Sequence, residues 1–232
     1  MKTHRILTIF GCKSRPFTHT PMLRYFLIIF LFFSVLISSA QTKLGLKFSP
    51  TLTSTRTNTS KDTLDIAGNG SSFRFSLGLV VDYAFTETYT FSTGAFFLPK
   101  RVSIRVKNTN YPNRVEEYNL QYIQIPLTLK LYTNEILPDA SVFFQVGGAP
   151  EIKIFEEPAK EEYTLIRDFN IIDVNVMLGA GVEYKAGINT VLFVDFSFQR
   201  GLIHIVKESD PELAGDLSLR NTAMMLNLGI KF

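Results

Sequence analysis

Large apolar residues alternate strictly with small or polar residues in many stretches of this chain. In FRFSLGLVVDYAF, which begins at Phe73, every second residue from Phe73 to Phe85 is apolar, and Val80 is one further apolar residue on the opposite face. The same period of two recurs in LGLKFSPTL, YTFSTGAFF, YIQIPLTLKL, SVFFQVGGAPEIKI, DVNVMLGAGVEYK, VLFVDFSFQ and MMLNLGIKF. Because successive side chains of a strand point to opposite faces, the pattern predicts eight strands, each with one apolar face.

The connectors and the polar face indicate which way these strands point. Long connectors are predicted near residues 55–70, 107–116, 155–170 and 203–218, and short ones at Thr86–Thr88, Thr133–Pro138 and Gly187–Asn189. The polar face carries Gly, Ser, Lys, Asp and Glu, a poor core for a soluble domain. Short turns on one side, long loops on the other and an apolar outer face are typical of outer-membrane barrels. We predict an all-β, eight-stranded antiparallel transmembrane β-barrel, with a soluble lipocalin-like carrier as an alternative.

The N-terminal region has the pattern of an export signal. Arg24 precedes an apolar run of about 13 residues, which is shorter than a membrane-spanning helix, and Ser38-Ser39-Ala40 follows it. This order predicts a cleaved signal peptide. We expect residues 1–40 to form the signal region, with Met22 as a more ordinary start than Met1, and residues 41–232 to form the barrel domain.

Removal of residues 1–40 changes the charge of the chain. Five basic residues and no acidic ones leave with it, which moves the formal charge from +3 to −2. The high pI therefore belongs to the targeting region, and a nucleic-acid partner is not expected. Cys12, the only cysteine, also leaves, so we expect neither disulfides nor thiolate chemistry.

Charged residues on the small and polar face should point into the lumen. They are Lys47, Arg74, Asp82, Lys130, Glu151, Lys153, Asp173, Glu183, Lys185, Asp195 and Lys231. They could line a selective pore, but eight strands leave room only for side chains, and an isolated buried charge is costly. We therefore favour a paired network that fills the lumen.

The alternation changes after Pro99. Apolar residues stand at odd positions up to Phe97 and at even positions from Val102 through Ile104 to Val106. An extra residue in one strand would produce such a shift, and proline is tolerated at bulges. The sequence therefore predicts a β-bulge at this point.

The stretch MMLNLGIKF is predicted to be the closing strand. A sheet in lipid must close, because unpaired edge groups would have no water to bind, so this strand must pair with the first. Its apolar face includes Leu228, Ile230 and Phe232. This ending resembles that of outer-membrane proteins, which commonly finish on Phe and whose last strand the assembly machinery reads. We predict that these three residues form an assembly signal.

Residues for catalysis or metal binding are scarce. His204 would be the only histidine of the mature chain, whereas a catalytic base needs a nucleophile and an orienting partner and a metal needs several ligands. We expect a solvated histidine, no cofactor, no metal and no enzymatic activity. A small barrel enzyme that modifies lipid A around His204 is the alternative.

The chain resembles the PorT-like outer-membrane barrel proteins of Bacteroidetes. The resemblance lies in YIQIPLTLK from Tyr122 to Lys130, in the early G-x-K of Gly45 to Lys47, in GLVVDYAFTETYTFSTGAFF and in GAGVEY, and it spans residues 43–232. It implies a non-enzymatic structural or interaction role in the outer membrane, as an accessory of type IX secretion. The implied partners are the outer-membrane bilayer, the barrel assembly machinery and secretion components.

Overall fold

The computed structural model describes residues 41–58, 65–108, 111–209 and 218–232. The predicted signal region, residues 1–40, lies outside them. The described residues form twelve strands: β1 (Gln41–Asn58), β2 (Asp65–Gly68), β3 (Ser71–Ala84), β4 (Tyr89–Asn108), β5 (Tyr111–Gln124), β6 (Leu127–Leu137), β7 (Ala140–Pro158), β8 (Ile166–Phe169), β9 (Ile172–Lys185), β10 (Val191–Gly201), β11 (Val206–Ser209) and β12 (Ser218–Lys231). Among these residues, no helix has the length and apolar character needed to cross a membrane.

The main sheet closes on itself. Going round it, β1 pairs with β3, β3 with β4, β4 with β5 and β6, both of these with β7, and then β9, β10 and β12 follow in order. The ring is completed by β12 against β1, in antiparallel register from Gly45 opposite Lys231 to Asn58 opposite Ser218. Every pairing is antiparallel. Because β5 and β6 share one position, the ring has eight strands, and the predicted fold class is confirmed.

The break between β5 and β6 is local. Pro126 has no N–H to donate to a neighbouring strand, while the N–H of Ile125 donates to the carbonyl of Pro150 at 2.9 Å. On either side of the break, β4 keeps its partner, with Phe96 opposite Gln124 and Ser92 opposite Thr128. The predicted strand through YIQIPLTLKL is therefore one kinked strand of the ring.

The apolar face of the ring points outward. Leu44, Leu46, Phe48 and Leu52 of β1 are exposed, while the odd-numbered residues between them point into the ring. The outward apolar residues of β1 span about nine residues, the length that a tilted strand needs to cross the hydrocarbon core. A lipocalin-like carrier needs its apolar residues inside, so this arrangement contradicts that alternative.

The bulge predicted at Pro99 is absent. The pairing of β4 with β5 runs without a shift from Phe96 to Val106, and Val102 and Ile104 are fully buried inside. Inward residues of β4 remain at even positions throughout, so the register is unchanged and the polarity of the two faces is exchanged. The physical reason is that this part of β4 lies beyond the lipid-facing band, where its outer face carries exposed Arg105 and Lys107.

The connectors differ in how well the sequence anticipated them. The predicted short turns are present, and the one between β6 and β7 consists of Pro138 and Asp139, the latter with a φ of 64°. The predicted long connectors contain further strands. Near 107–116, β4 and β5 continue as a hairpin, and β2 extends the sheet along β4. In the connectors near 155–170 and 203–218, β8 and β11 pair to form a small separate sheet.

Candidate functional site: the filled lumen and its cap

Four charged side chains meet inside the ring near the short turns. These residues, Asp82, Lys130, Glu183 and Lys231, are here called the turn-end cluster. Lys231 Nζ lies 2.6 Å from Asp82 Oδ2 and 2.5 Å from Glu183 Oε1. Lys130 Nζ lies 2.8 Å from the same Asp82 oxygen and 3.5 Å from Glu183 Oε1. Two cations and two carboxylates therefore balance, and they tie together strands β3, β6, β9 and β12 across the lumen.

Aromatic rings and hydroxyls complete this layer. The ring of Phe193 lies 5.5 Å from Lys130 Nζ and 5.4 Å from Lys231 Nζ, within the range of cation–π attraction. The hydroxyl of Tyr132 donates to Glu183 at 2.7 Å. These groups occupy the space that a water-filled channel would need.

A hydrogen-bonded layer around the carboxylate of Asp195 lies next to the turn-end cluster. Asp195 Oδ1 accepts from Gln145 Nε2 at 2.9 Å and from Asn227 Nδ2 at 2.6 Å. Asn227 also accepts from the hydroxyl of Ser49 at 2.6 Å. Buried polar groups are costly unless they are hydrogen-bonded, and in this layer they bond to one another.

A second set of charges lies towards the long connectors. Lys100, Glu151 and Asp173, here called the cap-end cluster, have side chains at most 1% exposed. Lys100 Nζ lies 2.5 Å from Glu151 Oε2 and 3.7 Å from Asp173 Oδ2. The other oxygen of Glu151 accepts from Gln124 Nε2 at 2.7 Å. One cation here serves two buried carboxylates.

Above the cap-end cluster the interior becomes apolar. Inward residues of β4 and β5 pack against residues of the folded connectors, in one cluster made of Val102, Ile104, Val106, Tyr118, Leu120, Tyr122, Leu165, Ile166, Phe169, Ile205, Val206 and Leu219. We call this cluster, together with β8 and β11, the cap. Glu116 holds the connector to the wall, since its carboxylate accepts from the backbone N–H of Leu165 at 2.9 Å and pairs with Arg114 at 2.7 Å. The cap covers the mouth of the barrel.

The outer edge of the cap carries a group of ion pairs. Asp168 lies 2.5 Å from Lys207 Nζ and 3.3 Å from Lys153 Nζ. Lys153 also donates to the carbonyl of Phe169 at 2.5 Å. The hydrogen bond from Lys207, with that from Lys153, holds the pKa of Asp168 below its ordinary value.

Most charges predicted to face the lumen are brought together there. Those that lie buried inside are Lys47, Asp82, Lys130, Glu151, Asp173, Glu183, Asp195 and Lys231. Arg74 is partly buried and donates to Asn119 at 3.0 Å, and Lys153 belongs to the cap. Lys185 has the inward parity of β9, opposite buried Val191, but it lies at the end of the strand, where its ammonium is exposed and pairs with Glu135 instead of joining the buried network.

Two buried charges were missed in the sequence. Lys100 and Glu116 are each followed by another charged residue, in LPKRV and RVEEY, so the local pattern does not show which of the two points inward. Position along the strand could have shown the direction of Lys100. It stands at an even position of β4, as do Thr90 and Ser92, which face inward.

The last strand lies where closure requires it. The N–H of Phe232 donates to the carbonyl of Leu44 at 2.7 Å, and the N–H of Leu44 donates back at 3.1 Å. The side chains of Phe232 and Leu228 are exposed on the outer face, and that of Ile230 is partly exposed. The assembly role of these three residues stays a prediction.

His204 lies at the surface of the described part of the chain. Its side chain is exposed, and its backbone carbonyl accepts from Asn170 at 2.9 Å. Within the described ranges, no group of three or more His, Cys, Asp or Glu side chains is placed to hold a metal ion. The chemistry that this interior does support is charge pairing.

The chain resembles several solved structures of outer-membrane proteins. Outer membrane protein OprG from Pseudomonas aeruginosa is 13% identical, over 82% of this chain and 95% of that one, with a TM-score of 0.49. Outer membrane protein AlkL is 13% identical, over 98% and 97%, with a TM-score of 0.48. Neisserial surface protein A is 12% identical, over 81% and 97%, with a TM-score of 0.44. At this level of likeness, none of the three carries a functional implication for this chain.

No curated protein sequence matches the chain. The family model described as outer membrane protein beta-barrel domain, however, matches residues 38–207, which is most of the chain. With the closed eight-stranded ring and its outward apolar face, this match places the protein in the outer membrane, and the chain belongs to the outer membrane protein beta-barrel domain family.

Proposed function

We propose that this protein is a non-conducting, non-enzymatic outer-membrane barrel that acts through its surfaces. The observation that carries the proposal is the filled lumen. The turn-end cluster and the cap-end cluster join facing strands at two levels, and both consist of side chains that are less than 10% exposed. An ion that crossed this interior would have to break paired charges twice and then pass the apolar cap.

The cap is the surface that we propose to be used. It is held by Glu116 and by the pairs around Asp168, so it presents a defined shape above the membrane. A prefolded surface binds a partner without the cost of ordering a loop. The PorT-like resemblance of the Tyr122 to Lys130 strand supports a secretion-system component as that partner, with the protein as an accessory of type IX secretion.

Conductance tests the closed lumen. The purified protein, reconstituted into planar bilayers beside a known porin, should give no steady stepwise current. Replacing the exposed pair Lys185 and Glu135 with alanine should leave this result unchanged. Reproducible channels of porin size in the unaltered protein would contradict the proposal.

A deletion strain tests the role. If the protein assists type IX secretion, its loss should leave secreted proteins in the periplasm, and a variant with alterations confined to the cap, such as Asp168→Ala with Lys207→Ala, should reach the membrane yet restore secretion poorly. Unchanged secretion would contradict that role. Altered lipid A in the deletion strain, restored by the wild type but not by His204→Ala, would instead support the enzymatic alternative.

A further inference from the structure

The outer surface changes from apolar to polar across a single row of residues. On four neighbouring strands, β10, β12, β1 and β3, one row of outward residues paired in register is apolar and consists of Phe198, Met224, Leu52 and Phe73. Two residues further along each strand, the next outward row consists of Arg200, Thr222, Ser54 and Ser71. This border marks the end of the hydrocarbon-facing band on the side of the long connectors, which in such barrels is the extracellular side.

Three arginines crowd together immediately above this border. Arg56 of β1 stands directly opposite Arg220 of β12, and Arg200 of β10 stands opposite Thr222 on the other side of β12. Arg56 Nε donates to the hydroxyl of Thr222 at 2.9 Å, so Thr222 lies between two of the guanidinium groups. Arg200 and Arg220 lie close enough to Arg56 to repel its charge. We call Arg56, Arg200 and Arg220 the arginine triad.

Among the described residues, no carboxylate pairs with an arginine of the triad. Arg101 pairs with Glu117 at 3.2 Å, and Arg105 donates to Asn69 at 2.5 Å. In the part of the chain that the structure describes, no ion pair joins a triad arginine to a carboxylate, and Arg56 Nη2 is buried without a hydrogen-bond partner. Like charges directly opposite each other on paired strands destabilise a sheet, so this arrangement costs stability in the protein alone.

An anion with several oxygens would remove that cost. The guanidinium group offers paired N–H donors that match a phosphate, and Arg–phosphate hydrogen bonds are short and strong. Phosphate oxygens placed beside Thr222 could accept from the exposed guanidinium groups of Arg200 and Arg220 and, after a rotation of the Arg56 side chain, from its unpartnered Nη2.

We propose that the arginine triad binds the phosphate group of an acylated lipid of the outer leaflet. The position of the triad argues for a lipid rather than for free phosphate. The apolar row at Leu52 and Met224 lies just below it on the same outward face. The acyl chains would pack on that row while the phosphate reaches the arginines.

Binding of lipid A in detergent tests this inference. The probes are bis-phosphorylated lipid A, the same lipid with its phosphates removed, and inorganic phosphate, each added to the full barrel and measured by native mass spectrometry. We expect the phosphorylated lipid to bind best. Replacing Arg56, Arg200 and Arg220 with Gln should weaken its binding at least about tenfold, the scale of one or two charge-assisted hydrogen bonds. Lysine at the same three positions should recover only part of the affinity, because it lacks the paired N–H donors of a guanidinium group.

The matched control removes the same charge elsewhere on the outer surface. Arg101→Gln, Arg105→Gln and Lys107→Gln lie on β4 and should leave lipid binding within about twofold of the wild type, because Arg101 and Arg105 already have partners and such surface charges contribute little. Heat-dependent gel mobility checks that every variant is folded. Equal losses in both triple variants, or equal binding of the dephosphorylated lipid, would overturn the proposal. Inorganic phosphate that displaces the lipid at similar concentration would overturn its assignment to a lipid.

Discussion

Replacing Lys100 with Met should be strongly destabilising. The ammonium group is the only cation within ion-pair distance of Glu151 and Asp173 among the described residues, and all three side chains are at most 1% exposed. The methionine would fill the same space but leave two carboxylates without a countercharge. Breaking a buried pair by removing one partner costs about 3–5 kcal/mol, and we expect a loss of that size in the free energy of unfolding.

The control is a lysine–glutamate ion pair of the same protein that is exposed to water. Lys185 Nζ lies 2.7 Å from Glu135, but both side chains are about half exposed. Exposed pairs contribute up to about 1 kcal/mol, so Lys185→Met should have at most that effect. The contrast between the two methionine variants isolates burial as the cause.

A second substitution tests the electrostatic reason. In Lys100→Met with Glu151→Gln, one uncompensated carboxylate remains instead of two, and Gln124 can still bond to residue 151. The double variant should therefore be more stable than Lys100→Met alone, although it carries a second substitution.

Unfolding in denaturant, with the protein refolded in detergent, measures these differences. The chain has no tryptophan, so the β-sheet circular dichroism signal and heat-dependent gel mobility are the suitable readouts. A loss for Lys100→Met no larger than that for Lys185→Met would refute the reasoning. So would a double variant that is less stable than the single one.

Three further predictions address other parts of the chain. Gly229→Ala should lower stability by about 1–3 kcal/mol, because its Cβ would lie 2.2 Å from a buried aromatic ring, whereas Gly148→Ala, with no atom nearer than 3.9 Å, should be tolerated in the same unfolding assay. The pKa of Asp168 is lowered by hydrogen bonds, so its stabilising effect on the cap is present above about pH 4 and is lost as the pH falls further. The amide NMR signals of β8 and β11 should shift together as the pH falls below this value. Asp168→Asn should remove this pH response. Deleting Phe232 should leave precursor in the periplasm while the variant still refolds in detergent; normal surface levels would contradict its role as an assembly signal.

The ring could be predicted from the sequence because lipid imposes one rule on every strand. Within the lipid-facing band, each outward position must be apolar, so residues such as Leu46 and Phe75 fix the parity of their strands. Once that parity is known, the inward side of Lys47 and Asp82 follows. Lys231 follows the same rule, and its ammonium bridges Asp82 and Glu183 inside the ring.

The rule fails where the strands leave the band. Beyond Phe97, the outer face of β4 meets water and its inner face meets the cap, so apolar Val102 and Ile104 point inward without any change of register. The alternation in the sequence shows which positions of a strand are apolar, but it does not show whether those positions point into or out of the ring. The cap brings Leu120 of β5 against residues about 45 positions later, such as Ile166, and no local pattern reports such a contact.

Basic residues separate into two kinds in this barrel, according to where their countercharge comes from. Lys100, Lys130 and Lys231 each lie within 2.8 Å of a carboxylate of the same chain, and Lys47 Nζ lies 3.9 Å from the centre of the Phe96 ring. Arg56 and Arg220 face each other on paired strands with no such carboxylate among the described residues. Within the described part of the chain, the countercharge for these outward arginines must therefore come from what surrounds the barrel. Function is to be sought on the outer surface and on the cap, because the lumen is filled by its own side chains.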